Sequence, residues 1–117
     1  MQLTITERAQ SVIGAHLHDN TVILLSYDDG VGPYSPHGLE ALQIAFKLVL
    51  IDDSMPKEDY DVSLSSVLGP IYIKGYSQRF LGDHLKIDLN EHYHLLTLRD
   101  DGETIEDHLQ IEDRQSN

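Results

Sequence analysis

Cysteine is absent from all 117 residues. That absence excludes a disulfide framework, a thiolate nucleophile and any metal site built on thiolates of this chain alone. Long apolar runs are missing too. The longest, Ile44 to Ile51, is interrupted by Lys47 and falls far short of the roughly 20 residues a membrane helix needs. The opening residues, Met1 to Thr6, show neither a basic stretch nor an apolar one, so no secretory signal is expected and a cytoplasmic protein is the default reading.

Basic residues are scarce: 8 Lys and Arg stand against 20 Asp and Glu, a net charge of −12. The bases are scattered singly, and such a surface repels phosphate backbones, which argues against nucleic acid and anionic membrane as partners. From Asp100 onward seven acids meet only Arg114. Residues from about 106 to 117 accordingly read as a solvated, frayed acidic tail, with docking of a cation or basic protein as the other reading.

What is present fits one domain across residues 1–117. Leu3 and Ile5 alternate with polar neighbours, predicting a short strand that ends where Thr6 can cap a helix. Ala9, Val12, Ile13 and Leu17 recur at helical spacing from Glu7 to about His18. Thr21 to Tyr27, TVILLSY, predicts a buried strand. Asp28 to Gly38, with three glycines and two prolines, is a loop. Leu42, Ile44, Phe46, Leu48 and Leu50 fall at period two and favour a long, half-covered strand, with a helix over Leu39–Leu50 as the competitor. Asp52 to Asp59 forms an acidic turn. Tyr60–Val67, Ile71–Lys74, Leu85–Leu89 and Tyr93–Leu98 read as further strands, with a helical turn within Gly75–Gly82 and a hairpin connection at Asn90–His92. The fold class is mainly β with one or two short helices (α+β), a sandwich or partly closed barrel.

This order, and above all the block GPIYIKGYSQRFLGDHLKIDLNEHYHLLTL from Gly69 to Leu98, resembles the HesB-like or A-type carrier family of iron-sulfur cluster biosynthesis. The resemblance covers residues 3 to 99 or so. The DDGVGPYS loop and the GPIYIKGY run resemble its short Gram-positive branch. It implies a HesB-like β-sandwich or pseudo-barrel, a first cysteine in the loop after the second strand, and a Cys-Gly-Cys near the C-terminus. Here the first segment reads Asp28 to Ser35 and the second Arg99 to Glu106, with no thiol in either. Clusters are held and exchanged by soft thiolates, so no thiol-ligated cluster is expected even though the fold carries over.

Histidines are the natural replacement ligands for iron or zinc. His92 and His94 would share one face of a strand, with His84, Asp88 or Glu91 as a third ligand; the competing reading is a solvent-facing strand edge. His16 and His18 diverge on a helix and cannot chelate there. Asp28 and Asp29 point to opposite faces of an extended chain and suit a turn better than an acid–base pair. Gly30-Val31-Gly32 lacks a following base and runs into Pro33, unlike a phosphate cradle. No serine stands in a nucleophile motif, so an enzyme is not expected. Asp29, Gly30, Gly32, Pro33 and Tyr34, with Gly75 and Tyr76, suit a partner-contact surface. The expected function is a non-enzymatic accessory of iron-sulfur cluster biogenesis that meets the assembly machinery and forms a homodimer in the manner of the resembled family. The alternative is a small soluble interaction domain that kept the fold without the metal chemistry.

Overall fold

The computed structural model of the chain describes residues 2–27 and 46–115. The loop expected over Asp28–Gly38, and the strand-or-helix choice up to residue 45, lie outside them. In chain order the elements are β1 (Leu3–Ile5), α1 (Glu7–Gly14), β2 (Thr21–Tyr27), β3 (Phe46–Asp52), β4 (Val62–Leu64), β5 (Ile71–Ile73), a 3-10 helix (Gly75–Phe80), β6 (Leu85–Asn90), β7 (Leu95–Asp100), β8 (Glu103–Glu106) and β9 (Gln110–Asp113). They form a four-stranded sheet, β1-β6-β7-β8, and a five-stranded sheet, β4-β5-β2-β3-β9. Both are mixed, since β1 runs parallel to β6, β2 to β5 and β3 to β9. This is the mainly β, α+β architecture that the many short strands predicted.

The main core lies between the sheets. Leu85, Ile87 and Leu89 alternate with polar residues along β6 and meet Leu96 and Leu98 of β7, Leu25 of β2, and Leu48 and Leu50 of β3. Helix α1 adds Ala9 and Ile13 to this layer. The Thr6 hydroxyl caps it by accepting from the Ala9 amide at 3.4 Å. The helix stops at Gly14 rather than near His18, because His16 and Leu17 donate to the Ile13 and Gly14 carbonyls in tighter i to i+3 bonds.

The expected half-covered strand is covered on both sides. Leu24 of β2 with Val49 and Ile51 of β3 point away from the main core and are buried beneath Tyr60 and Met55. The Asp52–Tyr60 turn folds back over the five-stranded sheet, and the Tyr60 hydroxyl sits 2.7 Å from the Ser26 Oγ. Double coverage explains why TVILLSY lacks alternation.

The C-terminal segment departs most from expectation. Residues 110–113 do not fray: β9 pairs in parallel with Lys47 to Leu50 of β3. Leu109 is buried and Ile111 packs on the core, so two apolar side chains outweigh the acidity around them. Lys47 donates to Glu112 at 3.0 Å, Arg114 pairs with the same carboxylate, and the Arg114 amide bonds the Leu50 carbonyl at 2.8 Å. Burial pushes the Glu112 carboxyl up, but the bonds from Arg114 and Lys47 outweigh it and hold the group below its ordinary range.

Two strand ranges also shift. The Tyr60–Val67 strand contracts to β4, because Tyr60 is drawn into the second core and Ser66 closes a turn onto Gly69. The Tyr93–Leu98 strand starts only at Leu95, since residues 91–94 form the turn. The Arg99–Glu106 segment is a β-hairpin. Asp101 and Gly102 both have positive φ, at 54° and 92°, with Asp100 paired to Glu103, as a two-residue type I′ turn requires.

Candidate functional site

Because β2 and β5 run parallel, their C-terminal ends lie together, and β3 starts at Phe46 directly opposite Tyr27. Lys74 follows β5 at this end and is fully buried. A buried ammonium needs partners. It donates to the Tyr27 carbonyl at 3.0 Å and lies 5.6 Å from the Tyr60 ring centre. The Tyr27 ring packs against Phe46 and Phe80, with centroids 5.4 and 4.8 Å away. Glu106, the last residue of β8, accepts from the Phe46 amide at 3.1 Å.

The structure thereby joins stretches far apart in sequence. Tyr27 and Phe46 flank the segment containing Asp29, Gly30, Gly32, Pro33 and Tyr34, whose own positions lie outside the described residues. Gly75 and Tyr76, the other expected contact residues, begin the 3-10 helix beside Lys74. The Gly75 amide donates to Asp61 at 2.8 Å, and a Cβ on Gly75 would crowd the same carboxylate at 2.9 Å, so glycine permits this approach. Tyr76 is 46% exposed. Glu106 brings in the end of the Arg99–Glu106 segment. The gathered groups are an ammonium, a carboxylate, a carbonyl and aromatic rings.

The histidines are placed otherwise. His92 and His94 stand in the four-residue turn between β6 and β7, not on a strand, so the same-face spacing does not apply. The Asn90 side-chain oxygen accepts from the His92 and Tyr93 amides at 3.0 and 3.4 Å, which builds the turn, and His94 takes a left-handed φ of 55°. His84 precedes β6 and His92 follows it, so the six-residue strand holds them roughly 20 Å apart at about 3.3 Å per residue. Among the described residues no group of three or more His, Asp or Glu is placed to hold a metal ion. His16 instead lies 3.6 Å from Asp113.

Asp88 and Glu91, considered above as third ligands, are taken by Arg8 of helix α1. Arg8 donates to Asp88 at 2.9 and 3.1 Å and to Glu91 at 2.7 Å, and Thr6 donates to Asp88 at 2.7 Å. The Arg8 guanidinium, joined by the Thr6 hydroxyl and Leu89 amide, outweighs partial burial and holds the Asp88 carboxyl far below its ordinary range. A depressed folded pKa contributes stability above the unfolded value, about 3.9, and that contribution is lost as pH falls toward the folded one. Thermal midpoints measured downward from pH 5 should therefore fall more steeply for the wild type than for Asp88→Asn. Parallel curves would show that the pair is fully screened by water.

Nothing in the sequence alone marks Lys74 and Glu106 as site residues. Lys74 reads as an ordinary strand-end base, and its one signal is membership of the GPIYIKGY run. The Asp101-Gly102 pair is a hairpin signal in the sequence, masked by the many acids around it.

A family model described as iron-sulphur cluster biosynthesis matches residues 1–113. A crystal structure of a candidate Fe-S biosynthesis protein from Lactobacillus salivarius, noted for a novel fold, is similar with a TM-score of 0.89 and 33% identity. That match covers 99% of this chain and 100% of that one. A second crystal structure, of a candidate Fe-S biosynthesis protein from Lactobacillus acidophilus, has a TM-score of 0.74 at 22% identity and covers 97% of this chain and 90% of that one; it is a likeness of fold. No curated protein matches the chain. Among the described residues no helix is long and apolar enough to cross a membrane.

Proposed function

Since the chain belongs to the iron-sulphur cluster biosynthesis family, we propose that it serves that process as a non-enzymatic accessory. In this reading it docks on protein components of the assembly machinery and carries no cluster through thiols of its own. The supporting observation is the family match over residues 1–113 in a chain of 117 residues without one cysteine. Soft thiolates are what iron-sulfide units bind and exchange between, and hard carboxylate or ammonium groups do not substitute for them.

The end of the fold around Lys74 suits a docking role. A buried, hydrogen-bonded lysine and three packed aromatic rings form a stiff base, and Tyr76 stands exposed beside it. Rigid aromatic side chains are effective anchors in protein interfaces because they bury much area with few rotatable bonds. Deleting the gene should lower the activities of iron-sulfur enzymes in the cell, and the tagged protein should retain a cysteine desulfurase or cluster scaffold. A silent deletion with unrelated partners would contradict the proposal and favour a small interaction domain that kept only the fold.

A further inference from the structure

Lys86 of β6 and Arg99 of β7 stand directly opposite each other on the outer face of the four-stranded sheet. Thr4 of β1 and Thr104 of β8 extend the row on either side. Like charges placed directly opposite destabilise a sheet. In a chain with 20 acids and 8 bases, this is a conspicuous juxtaposition.

Among the described residues no carboxylate forms an ion pair with either base, although Asp88 and Asp101 lie in the same concavity. Asp88 is held by Arg8 and Thr6. Asp100 accepts from the His84 amide at 3.2 Å, and the Asp101 carboxylate lies 3.7 Å from the His84 imidazole. Lys86 makes no hydrogen bond or ion pair among the described residues. Arg99 uses one amino group on the Gly102 carbonyl at 2.7 Å, leaving its other donors for a ligand. The two side chains line an open concavity of about 440 Å³ with His84, Asp88, Asp101 and Gly102. A second concavity of about 260 Å³ shares His84 and Lys86 with the first and is lined further by Gln2, Thr4, Leu85 and the carboxylate of Asp83.

We propose that this row binds a small, doubly charged oxyanion, of the phosphate-monoester or dicarboxylate class, held between the Lys86 ammonium and the Arg99 guanidinium. Two positive charges and the planar guanidinium fork match such a group, which also removes the like-charge repulsion. A polyanion is disfavoured by the net charge of −12, whereas a small dianion meets only the local field.

The test is an amide NMR titration of the full chain with inorganic phosphate and, separately, with malonate, against sodium chloride at matched ionic strength. Saturable shifts at Lys86, Arg99 and Thr104 are expected with at least one dianion and not with chloride, and the arm that saturates identifies the class. Lys86→Glu should weaken that binding by about tenfold or more. It should also raise the anion-free thermal midpoint, because an opposite-charge pair replaces a repulsive one. Absence of saturable shifts with both dianions, or binding undiminished in Lys86→Glu, would overturn the proposal.

Discussion

Leu24→Ala and Leu25→Ala are expected to destabilise the protein to a similar extent, each by about 2–5 kcal/mol, although the two residues point to opposite faces of β2. Leu25 faces the core between the sheets, whereas Leu24 faces the second core under Tyr60 and Met55. Both are fully buried. Each truncation removes the transfer free energy of the lost carbons and leaves a cavity among neighbours held by strand pairing. Urea unfolding with an unchanged slope would read the losses as lower midpoints. A near-neutral Leu24→Ala would mean that the Asp52–Tyr60 turn does not seal the outer face of the five-stranded sheet.

Lys74→Ala should be comparably severe, about 3–5 kcal/mol, lowering the thermal midpoint by more than about 10 °C. The substitution removes both the packed alkyl stem and the bond to the Tyr27 carbonyl. Lys74→Met keeps most of the stem and loses the charged hydrogen bond, so it should lose about 1.5–3 kcal/mol. The difference between the variants separates packing from hydrogen bonding. Differential scanning calorimetry on both decides the matter, and an unaffected midpoint in Lys74→Ala would show that the ammonium is solvated rather than buried.

Most of the fold was legible from local pattern. Leu3, Ile5 and Thr6 wrote a strand and a cap, TVILLSY a buried strand, and Leu85–Leu89 a further short strand, whereas the double coverage of β2 and the half-exposure of β6 emerge only in the fold. What was hidden depends on tertiary pairing. Leu109 and Ile111 are two apolar residues in an acidic stretch, too few to announce a strand until β3 is seen to offer its edge to β9. His92 and His94 have strand spacing, yet Asn90 folds its neighbours into a turn through bonds that residue counting does not reveal. The meeting of Tyr27, Phe46, Lys74 and Glu106 was hidden for the same reason, since strand order, not proximity in sequence, assembles them. Family membership was legible in the order of elements and above all in the run from Gly69 to Leu98, within the 1–113 match, and the missing cysteines were plain in the composition.

Those missing cysteines give the account its most direct test. The purified, untagged protein is incubated anaerobically with ferrous iron, sulfide and a thiol reductant, desalted, and its visible absorbance and bound iron and sulfide are measured. A colourless protein without stoichiometric iron or sulfide is the predicted result. A stable visible chromophore with stoichiometric iron and sulfide would contradict the account, because ligands other than cysteine would then be holding a cluster on this fold.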